Sequence, residues 1–458
     1  MPDKPIKIYG LLFVSALFFT SKVFAETNIS MLWKAGTAQV VITPGENLWM
    51  AGYAARNQPS EGKIHDLYAK ALVLEDSYGS RSVLVTSDLL GFTADLSNRI
   101  RKELASLLDL TKAQIILNAS HTHSGPVLSG ALVDIYPIDK EEWDRIERYT
   151  QTLEKKIIDL VIEAALNLEP VSIYAANGTA RFLVNRRNNP EQKIEYQSEL
   201  KGPSDYSVPV LKVVKKSGDI KAIIFGHACH PVVLTGYQWA GDYPGFAQLE
   251  LEKLYPGTTA LFFQGAGADQ NPMPRRTIPL ARQHGITLAA AVDRVLHEKM
   301  KSLPSSLKTA YKEIDLPLVP ISEKELAGII QEKEGYPKQW ALRMLEERRK
   351  GITPLNTYPY PIQIWNLGGL PLFSLGGELV VDYALNFKQK YGYESFVLGY
   401  SNDVMAYIPT VRILNEGGYE GADSQMVYGM PGLWSSEIET LIFKGVDELA
   451  EKVDIQRR

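Results

Sequence analysis

The chain has 458 residues, of which 45% are hydrophobic and 22% charged, and its formal net charge at pH 7 is −4. This composition is typical of a folded globular protein and excludes a largely disordered chain. The acidic balance argues against nucleic acid as a partner, because binding to phosphates needs a basic surface. The single cysteine, Cys229, excludes an intramolecular disulfide and an all-cysteine zinc site.

Residues 1–25 have the features of a signal peptide. Lys4 and Lys7 precede the apolar run 9–20, and Val23 and Ala25 are small residues in front of an expected cleavage site. The apolar run is shorter than the roughly 20 residues that a membrane-spanning helix needs. We therefore expect export to the periplasm or the medium, with no stable membrane span. An uncleaved N-terminal anchor is the alternative.

Segments of strand and helix character alternate along the rest of the chain. Apolar runs predict strands at 71–74, 82–86, 114–117, 208–214, 222–225, 260–263, 362–367 and 371–375. Helical periodicity predicts helices at 93–108, 140–167, 243–255, 281–303, 322–350 and 379–391. This alternation predicts an α/β fold with a mixed β-sheet core flanked by helices.

The mature chain, 26–458, is predicted to form a single domain. Its charged segment 322–350 begins with a capping box, in which Ser322 and Glu325 satisfy each other's backbone amides. Prolines flank this segment on both sides. We expect it to be a helical surface insertion and not a separate domain.

Pairs of histidines follow two of the predicted strands. His121 and His123 come just after 114–117, and their two-residue spacing in extended backbone points both imidazoles to the same side. His227 and His230 come just after 222–225. Open α/β sheets bind ligands at the carboxyl ends of their strands, and neutral imidazole is a preferred zinc ligand. The pattern favours a zinc site over the alternative, in which each histidine is hydrogen-bonded in the core.

The other histidines and the common motifs point to no further site. His65, His284 and His297 are expected to be structural or exposed. The sequence contains no G-x-S-x-G, P-loop or H-E-x-x-H motif, so a serine hydrolase of the α/β type, a P-loop enzyme and a zincin are not supported.

The segment Asn118–Pro126 contains H-T-H-S-G-P and resembles a motif of the neutral, non-lysosomal ceramidases, zinc-dependent amidases that hydrolyse the N-acyl bond of ceramide. Further resemblances follow in the family's order at Asn185–Arg187, Ala228–Pro231, Gly265–Pro272, Leu375–Glu378, Tyr407–Thr410 and Tyr419–Ala422. The resemblance implies the catalytic domain of the family. Because the chain ends soon after the last motif, we expect the family's C-terminal β-sandwich domain to be missing.

The resemblance also implies a set of site residues. The implied ligands of one zinc ion per chain are His121, His230, Glu378 and Tyr407. The implied catalytic residues are His123, Arg186, Glu378 and Tyr419. In these roles Glu378 accepts a proton from a zinc-activated water, and His123 protonates the leaving amine. Arg186 and Tyr419 stabilise the oxyanion. Without the resemblance, Glu378 would be interpreted as a salt-bridged carboxylate near a helix start.

One segment departs from the family pattern. The ceramidases carry G-D-V-S-P-N where this chain has 267–272 (GADQNP), so a serine sometimes assigned a catalytic role is absent. We therefore predict direct attack by zinc-activated water without an acyl-enzyme, with Asp269 and Asn271 shaping the loop beside the zinc. Asp88 and Asp242 are candidates for orienting an imidazole, and a loop or helix cap is the alternative for each. The Cys229 thiol is expected to be buried and inert.

Three functions remain open from the sequence. The first is an exported zinc-dependent amidohydrolase that cleaves the N-acyl bond of ceramide or a related N-acyl lipid. The second keeps the zinc but acts as an esterase, lactonase or deacylase on a small polar or glycan-derived substrate. The third is a zinc-holding binding protein without turnover. An apolar groove beside the site would favour the first, because a lipid substrate needs apolar contact surface.

Overall fold

The secondary structure follows the predicted alternation. A computed structural model describes residues 2–3, 32–194 and 199–458. The strands are β1 (Trp33–Val41), β2 (Gly62–Lys63), β3 (Tyr68–Glu75), β4 (Arg81–Ser87), β5 (Ile115–Ala119), β6 (Glu169–Thr179), β7 (Leu183–Asn185), β8 (Ser207–Lys215), β9 (Ile220–His227), β10 (Gln238–Trp239), β11 (Thr259–Gln264), β12 (Gln270–Pro272), β13 (Lys301–Ser302), β14 (Leu307–Pro320), β15 (Thr357–Leu367), β16 (Leu370–Leu375), β17 (Glu378–Leu379), β18 (Phe396–Leu398), β19 (Tyr407–Ile408) and β20 (Gly432–Trp434). The helices are α1 (Ala94–Leu108), α2 (Lys140–Leu166), α3 (Asp242–Leu254), α4 (Ile278–His297), α5 (Glu323–Glu332), α6 (Tyr336–Arg349), α7 (Val381–Tyr391), α8 (Val411–Glu416), α9 (Ser424–Val427) and α10 (Ile438–Lys452).

The largest sheet is mixed, as predicted. Its strand order is β11-β9-β8-β6-β1-β3-β4-β5, with β13 added beside β6. β4 and β5 run parallel, as do β9 and β11, whereas β1 pairs antiparallel with β3 and β6. The most apolar strands, β5 and β9, are buried along almost their whole length. This is why continuous apolar runs predicted them correctly.

A second sheet packs on the first. Its order is β18-β16-β15-β14-β20. Leu84, Ile224 and Phe263 of the large sheet share one buried apolar cluster with Trp365 and Leu372 of the second sheet. Helix α2 covers the opposite face of the large sheet, and α10 packs on β14 and β15. The α/β prediction is confirmed, and the core lies in layers between two sheets and their outer helices.

Some element boundaries differ from the predictions. The sequence did not predict β6 and β14, because buried and exposed residues alternate along them and no apolar run marks them. The predicted helix 281–303 is wrong beyond His297, where the chain enters β13. The predicted capping box at Ser322 and Glu325 is confirmed at the start of α5.

The segment 322–350 contains two helices, because Gly335, with a φ of 70°, separates α5 from α6. The Trp340 indole donates a hydrogen bond of 3.0 Å to the carbonyl of Met430, which anchors α6 to the rest of the chain. The assignment of this segment as an insertion in a single domain stays a prediction.

The predicted signal peptide, 1–25, lies outside the described residues except for residues 2–3. Among the described residues, no helix combines the length and the apolar character that crossing a membrane requires.

Candidate metal centre

The loop after β5 brings His121 and His123 into the centre of the molecule. The backbone amide of His121 donates to the carbonyl of Leu89, and that of His123 to Pro231 in the loop after β9. His121 has a φ of 65°, a left-handed conformation that costs a non-glycine residue of order 1 kcal/mol or more. Strain of this kind persists where surrounding contacts enforce it, and it is concentrated at functional sites.

The side chains of these loops converge on one point. The Nε2 atoms of His121 and His123 are 3.3 Å apart. Ring nitrogens of His121, His123 and His230 all lie within 4.8 Å of one another. Glu378 Oε2 is 3.2 Å from His121 Nε2 and 3.5 Å from His230 Nε2. His121, His230 and Glu378 are buried, and His123 is partly buried.

Backbone carbonyls orient two of the imidazoles. His121 Nδ1 is 2.6 Å from the carbonyl oxygen of Leu90, and His230 Nδ1 is 3.2 Å from that of Gly267. With Nδ1 at these acceptors, the Nε2 atoms of both imidazoles are directed at Glu378 Oε2. Two imidazoles are thereby preset as metal ligands.

The two aspartates predicted as candidates for orienting an imidazole have other partners. Asp88 accepts a hydrogen bond from the backbone of Tyr68, and Asp242 accepts from the backbones of Leu234 and Tyr243. Among the described contacts, neither carboxylate bonds to an imidazole of the centre, so the cap alternative describes them better. The reason is that backbone carbonyls, those of Leu90 and Gly267, already lie beside the Nδ1 atoms of His121 and His230.

A short parallel strand pair places Glu378 beside Tyr407. The pair β17 and β19 aligns these two residues directly opposite each other. Two tyrosines that sequence reasoning missed also contact Glu378. The Tyr428 hydroxyl donates to Oε1 at 2.5 Å, and the Tyr400 hydroxyl lies 3.4 Å from Oε2. Glu378 is thus fixed on one oxygen and presents the other to the histidines.

Arg186 connects the centre to an outer layer of polar groups. Its Nη2 donates to the Tyr407 hydroxyl at 3.1 Å, and its Nε bonds to Glu420 at 2.6 Å. Nη1 is 3.5 Å from Asn271 Oδ1. The Tyr419 ring packs against that of Tyr407 with a centroid distance of 5.3 Å, and Tyr419 remains partly exposed. The two predicted oxyanion donors, Arg186 and Tyr419, therefore both contact Tyr407, and the Arg186 guanidinium lies 5.6 Å from the centroid of the Tyr419 ring.

The loop that lacks the family serine is rigidly held. Asp269 accepts hydrogen bonds from the Val381 backbone and the Asn185 side chain, and its own carbonyl accepts from the Arg186 backbone. Burial raises the pKa of Asp269 to about 6. The strand pair β7 and β12 aligns Asn271 with Val184. Asp269 thus joins the Arg186 segment to the start of α7, in keeping with a role in loop shape.

The donor set suits a metal cation. Burial is the main cause that lowers the pKa of both His123 and His230 well below the ordinary value, so both imidazoles are neutral at pH 7. His230 Nε2 is buried, and within the described part of the chain it has no hydrogen-bond partner. Neutral imidazole nitrogens and a carboxylate oxygen are the ligands that zinc takes in catalytic sites. The residues present therefore fit a zinc ion.

The remaining histidines lie away from this centre. His227 Nδ1 faces the carbonyl of Ser207, and its ring packs against Phe182. His284 also packs on Phe182, His65 packs on Phe246, and His297 is exposed. Cys229 is buried, as predicted, and burial raises its pKa. Of the pair His227 and His230, only His230 reaches the centre, because the chain leaves β9 between them.

Two cavities adjoin the centre. An apolar cavity of about 340 Å³ is bounded by residues that include Leu90, Leu128, Leu132, Met405 and Met430. Two of its lining residues contact the centre: the carbonyl of Leu90 lies beside His121 Nδ1, and the Tyr428 hydroxyl donates to Glu378. A polar cavity of about 530 Å³ lies on the side of Arg186, Asn271 and Tyr419.

Comparison with known protein families identifies one that matches this chain. The family described as "Neutral/alkaline non-lysosomal ceramidase, N-terminal" matches residues 33–268, slightly more than half of the chain. The chain belongs to this family. The matched range contains His121, His123, Arg186 and His230, whereas Glu378 lies beyond it.

Proteins named neutral ceramidases are similar to about half of the chain. Neutral ceramidase A of Dictyostelium discoideum is 27% identical over 261 residues, which are 52% of this chain and 35% of that protein. The neutral ceramidase of Drosophila melanogaster is 22% identical over 250 residues, again 52% of this chain and 35% of the relative. The chain thus spans about a third of the length of these relatives.

The fold of the ceramidase family extends further than the sequence match. The crystal structure of neutral ceramidase from Pseudomonas aeruginosa aligns with a TM-score of 0.71 at 18% identity, covering 93% of this chain and 75% of that one. A structure described as ceramidase complexed with C2 aligns equally well, with a TM-score of 0.71. The fold similarity thus includes the half of the chain that carries Glu378, Tyr407 and Tyr419.

Proposed function

We propose that this chain is a zinc-dependent hydrolase that cleaves an N-acyl amide bond. One observation carries the proposal: Glu378 Oε2 lies 3.2 Å and 3.5 Å from the Nε2 atoms of His121 and His230, and all three groups are buried. A buried carboxylate that faces two buried imidazole nitrogens is costly unless a cation joins them. Membership in the ceramidase family supports the same reaction class.

In this proposal four residues hold one zinc ion per chain. They are His121, His230, Glu378 and Tyr407. Zinc at such a site lowers the pKa of a coordinated water to about 7 and polarises a carbonyl. Arg186 donates to the Tyr407 hydroxyl at 3.1 Å. Burial raises the pKa of the Tyr407 phenol well above its usual value, and the positive charge of Arg186 partly offsets that rise.

The surrounding residues supply proton transfer and charge stabilisation. His123 is neutral at pH 7 and adjoins His121, so it is placed to take up a proton and deliver it to the leaving amine. Arg186 and Tyr419 face the polar cavity and are the donors for the developing negative charge on the carbonyl oxygen. Glu378 accepts the proton of the attacking water in this scheme.

The substrate that the geometry favours is an N-acyl lipid, such as ceramide. The apolar cavity beside Leu90 and Tyr428 suits an acyl chain, because its lining removes methylene groups from water at about 0.8 kcal/mol each. The similarity to neutral ceramidases supports this substrate class. We also propose that residues 1–25 direct export and that 26–458 form one catalytic domain.

The test combines metal analysis with an amidase assay. The purified chain should contain about one zinc ion and release the amine from N-dodecanoylsphingosine, and a chelator should abolish the release. His121→Ala should lack most of the metal, whereas the exposed control His297→Ala should keep both metal and turnover. Active protein without bound metal would refute the proposal. Metal-loaded protein that releases no amine from any N-acyl substrate would refute the reaction.

A further inference from the structure

The polar cavity carries positive charge although the chain as a whole is acidic. Four guanidinium groups line it, those of Arg186, Arg187, Arg275 and Arg276. The carboxylates in its wall are those of Glu191, Glu416 and Glu420. The described lining thus carries one more positive than negative charge, in a chain whose formal net charge is −4. A local positive excess inside a concave site attracts anions.

Two neighbouring arginines share one carboxylate in this cavity. Arg275 Nη2 and Arg276 Nη2 bond to the same oxygen, Glu191 Oε2, at 2.6 Å and 2.8 Å. The Nε atoms of both also bond to Glu191, at 3.0 Å and 3.3 Å. A guanidinium has more N–H donors than these bonds use. The pair therefore retains donors and charge for a second anionic partner.

The backbone of Arg276, the second arginine of this pair, is held in an unfavourable conformation. Arg276 has a φ of 95°, which is strained for a residue with a side chain. Its amide donates to the carbonyl of Val233 at 2.7 Å, in the loop that follows His230. A tertiary contact thus maintains the strain and places both guanidinium groups on the cavity. Strain maintained in this way is typical of functional positions.

The cavity borders the residues that surround the proposed metal centre. Arg186 and Asn271 line it and bond to each other, and Arg186 also bonds to Tyr407. A substrate bound at the metal would extend into the apolar cavity at one end and toward the arginines at the other.

We propose that the polar cavity binds an anionic group, a carboxylate or a phosphate, on the amine half of the substrate. This inference rests on the proposed function and predicts that, among N-acyl amines, those that bear an acid group are the preferred substrates. The planar guanidinium fork matches both anions with paired hydrogen bonds, which strengthens the preference for them over a neutral hydroxyl.

The test measures binding with ligands in which a keto-methylene group replaces the scissile N-acyl amide bond. We would titrate the holoprotein with the keto-methylene analogue of N-dodecanoylglycine, in which a methylene group replaces the amide nitrogen. Its uncharged primary amide and its phosphonate counterpart are the comparison ligands. The variants are Arg276→Gln, in which a half-exposed side chain changes, and Arg275→Gln. The control is Arg294→Gln, an exposed arginine that is likewise paired with a glutamate.

We expect the wild type to bind an acid analogue at least about tenfold more tightly than the uncharged amide, as charge-assisted hydrogen bonds imply. Arg276→Gln should reduce this ratio to about twofold or less, and Arg294→Gln should leave it unchanged. Tighter binding of the carboxylate or of the phosphonate identifies the anion.

Equal affinity for the acid and the amide would overturn the inference, as would a ratio unchanged in both Arg275→Gln and Arg276→Gln. The analogues are not substrates, so this result is independent of turnover. Equal hydrolysis of neutral and anionic N-dodecanoyl amides would likewise overturn the inference while leaving the proposed function intact.

Discussion

Tyr428 donates a hydrogen bond of 2.5 Å to Glu378 Oε1, and this bond determines which oxygen of Glu378 faces the histidines. Oε2, the oxygen that Tyr428 leaves available, is the one 3.2 Å from His121 Nε2. Tyr428 is thus a positioning residue for the proposed metal ligand. Hydrogen bonds of this kind orient a carboxylate ligand and tune its affinity for the metal.

Tyr428→Phe should weaken metal binding about tenfold to hundredfold, because the carboxylate loses the partner that fixes its orientation. The affinity can be measured by competition with a chromophoric chelator. Tyr255→Phe is the matched control, since it also removes a phenol–carboxylate hydrogen bond, to Asp293, but on the surface of α3 and α4. Equal metal affinity in the two variants would refute the positioning role.

His121 and His123 are predicted to have different roles although they are adjacent in the centre. His121→Ala should lose most of the bound metal. His123→Ala should keep the metal and lose turnover about 10²- to 10⁴-fold, the usual contribution of a proton-transfer group. Metal content and amine release, measured on the same preparations, separate the two effects. Equal loss of metal in both variants would make His123 a ligand and contradict the assignment.

Glu378→Gln should reduce the rate far more than Asn271→Ala. Glu378 faces the two histidines, whereas the Asn271 side chain lies 3.5 Å from Arg186 in the outer layer. The comparison is made on kcat with an N-acyl substrate. Because no serine replaces the one missing from the 267–272 loop, we also expect no pre-steady-state burst. A hydroxylamine-trapped acyl-enzyme would contradict direct attack by water.

Gly52 is packed against the His123 ring and tolerates no side chain. A Cβ at this position would lie 2.5 Å from His123 Cγ, and the φ of Gly52 is 113°. Gly52→Ala should displace the imidazole and reduce kcat about tenfold to hundredfold. Gly62→Ala is the control, because Gly62 also has a positive φ, 138°, but its Cβ would meet no atom within 4 Å. Both should lose some stability, and only Gly52→Ala should lose activity.

His227 should make the protein sensitive to mild acid. Burial lowers its pKa from 6.5 to about 4, so between these values the unfolded chain binds a proton that the folded chain does not. The free energy of unfolding therefore falls as the pH falls through this window, by roughly 2 kcal/mol at about pH 5. Urea denaturation near pH 7 and near pH 5 measures the loss.

His227→Asn removes this titrating group and keeps a donor for the carbonyl of Ser207. Its free energy of unfolding should fall less between the two pH values than that of the wild type. The exposed variant His297→Asn should retain the wild-type difference. An identical pH dependence in all three proteins would exclude His227 as the source.

The sequence by itself determined the elements that carry the histidines. Continuous apolar runs mark β5 and β9, because strands buried on both faces contain few polar residues, and His121, His123 and His230 follow them directly. The H-T-H-S-G-P motif and the ordered short segments after it also indicated the family, which the match to residues 33–268 confirms. The alternating strands β6 and β14 escaped prediction, because their apolar residues form no run.

Only the tertiary structure decided which residues act on these histidines. The chain has many tyrosines and many glycines, and no local pattern in the sequence distinguishes Tyr428 or Gly52 from the others. Glu378 meets His121 although they are 257 positions apart along the chain. Backbone hydrogen bonds join Ala119, at the end of β5, to Tyr400, and Tyr400 to Gly377, next to Glu378. Likewise the carbonyls of Leu90 and Gly267, and not Asp88 or Asp242, orient the imidazoles. Hydrogen-bond partners depend on which loops are brought together in space, and that depends on the packing of the two sheets and not on any local run of residues.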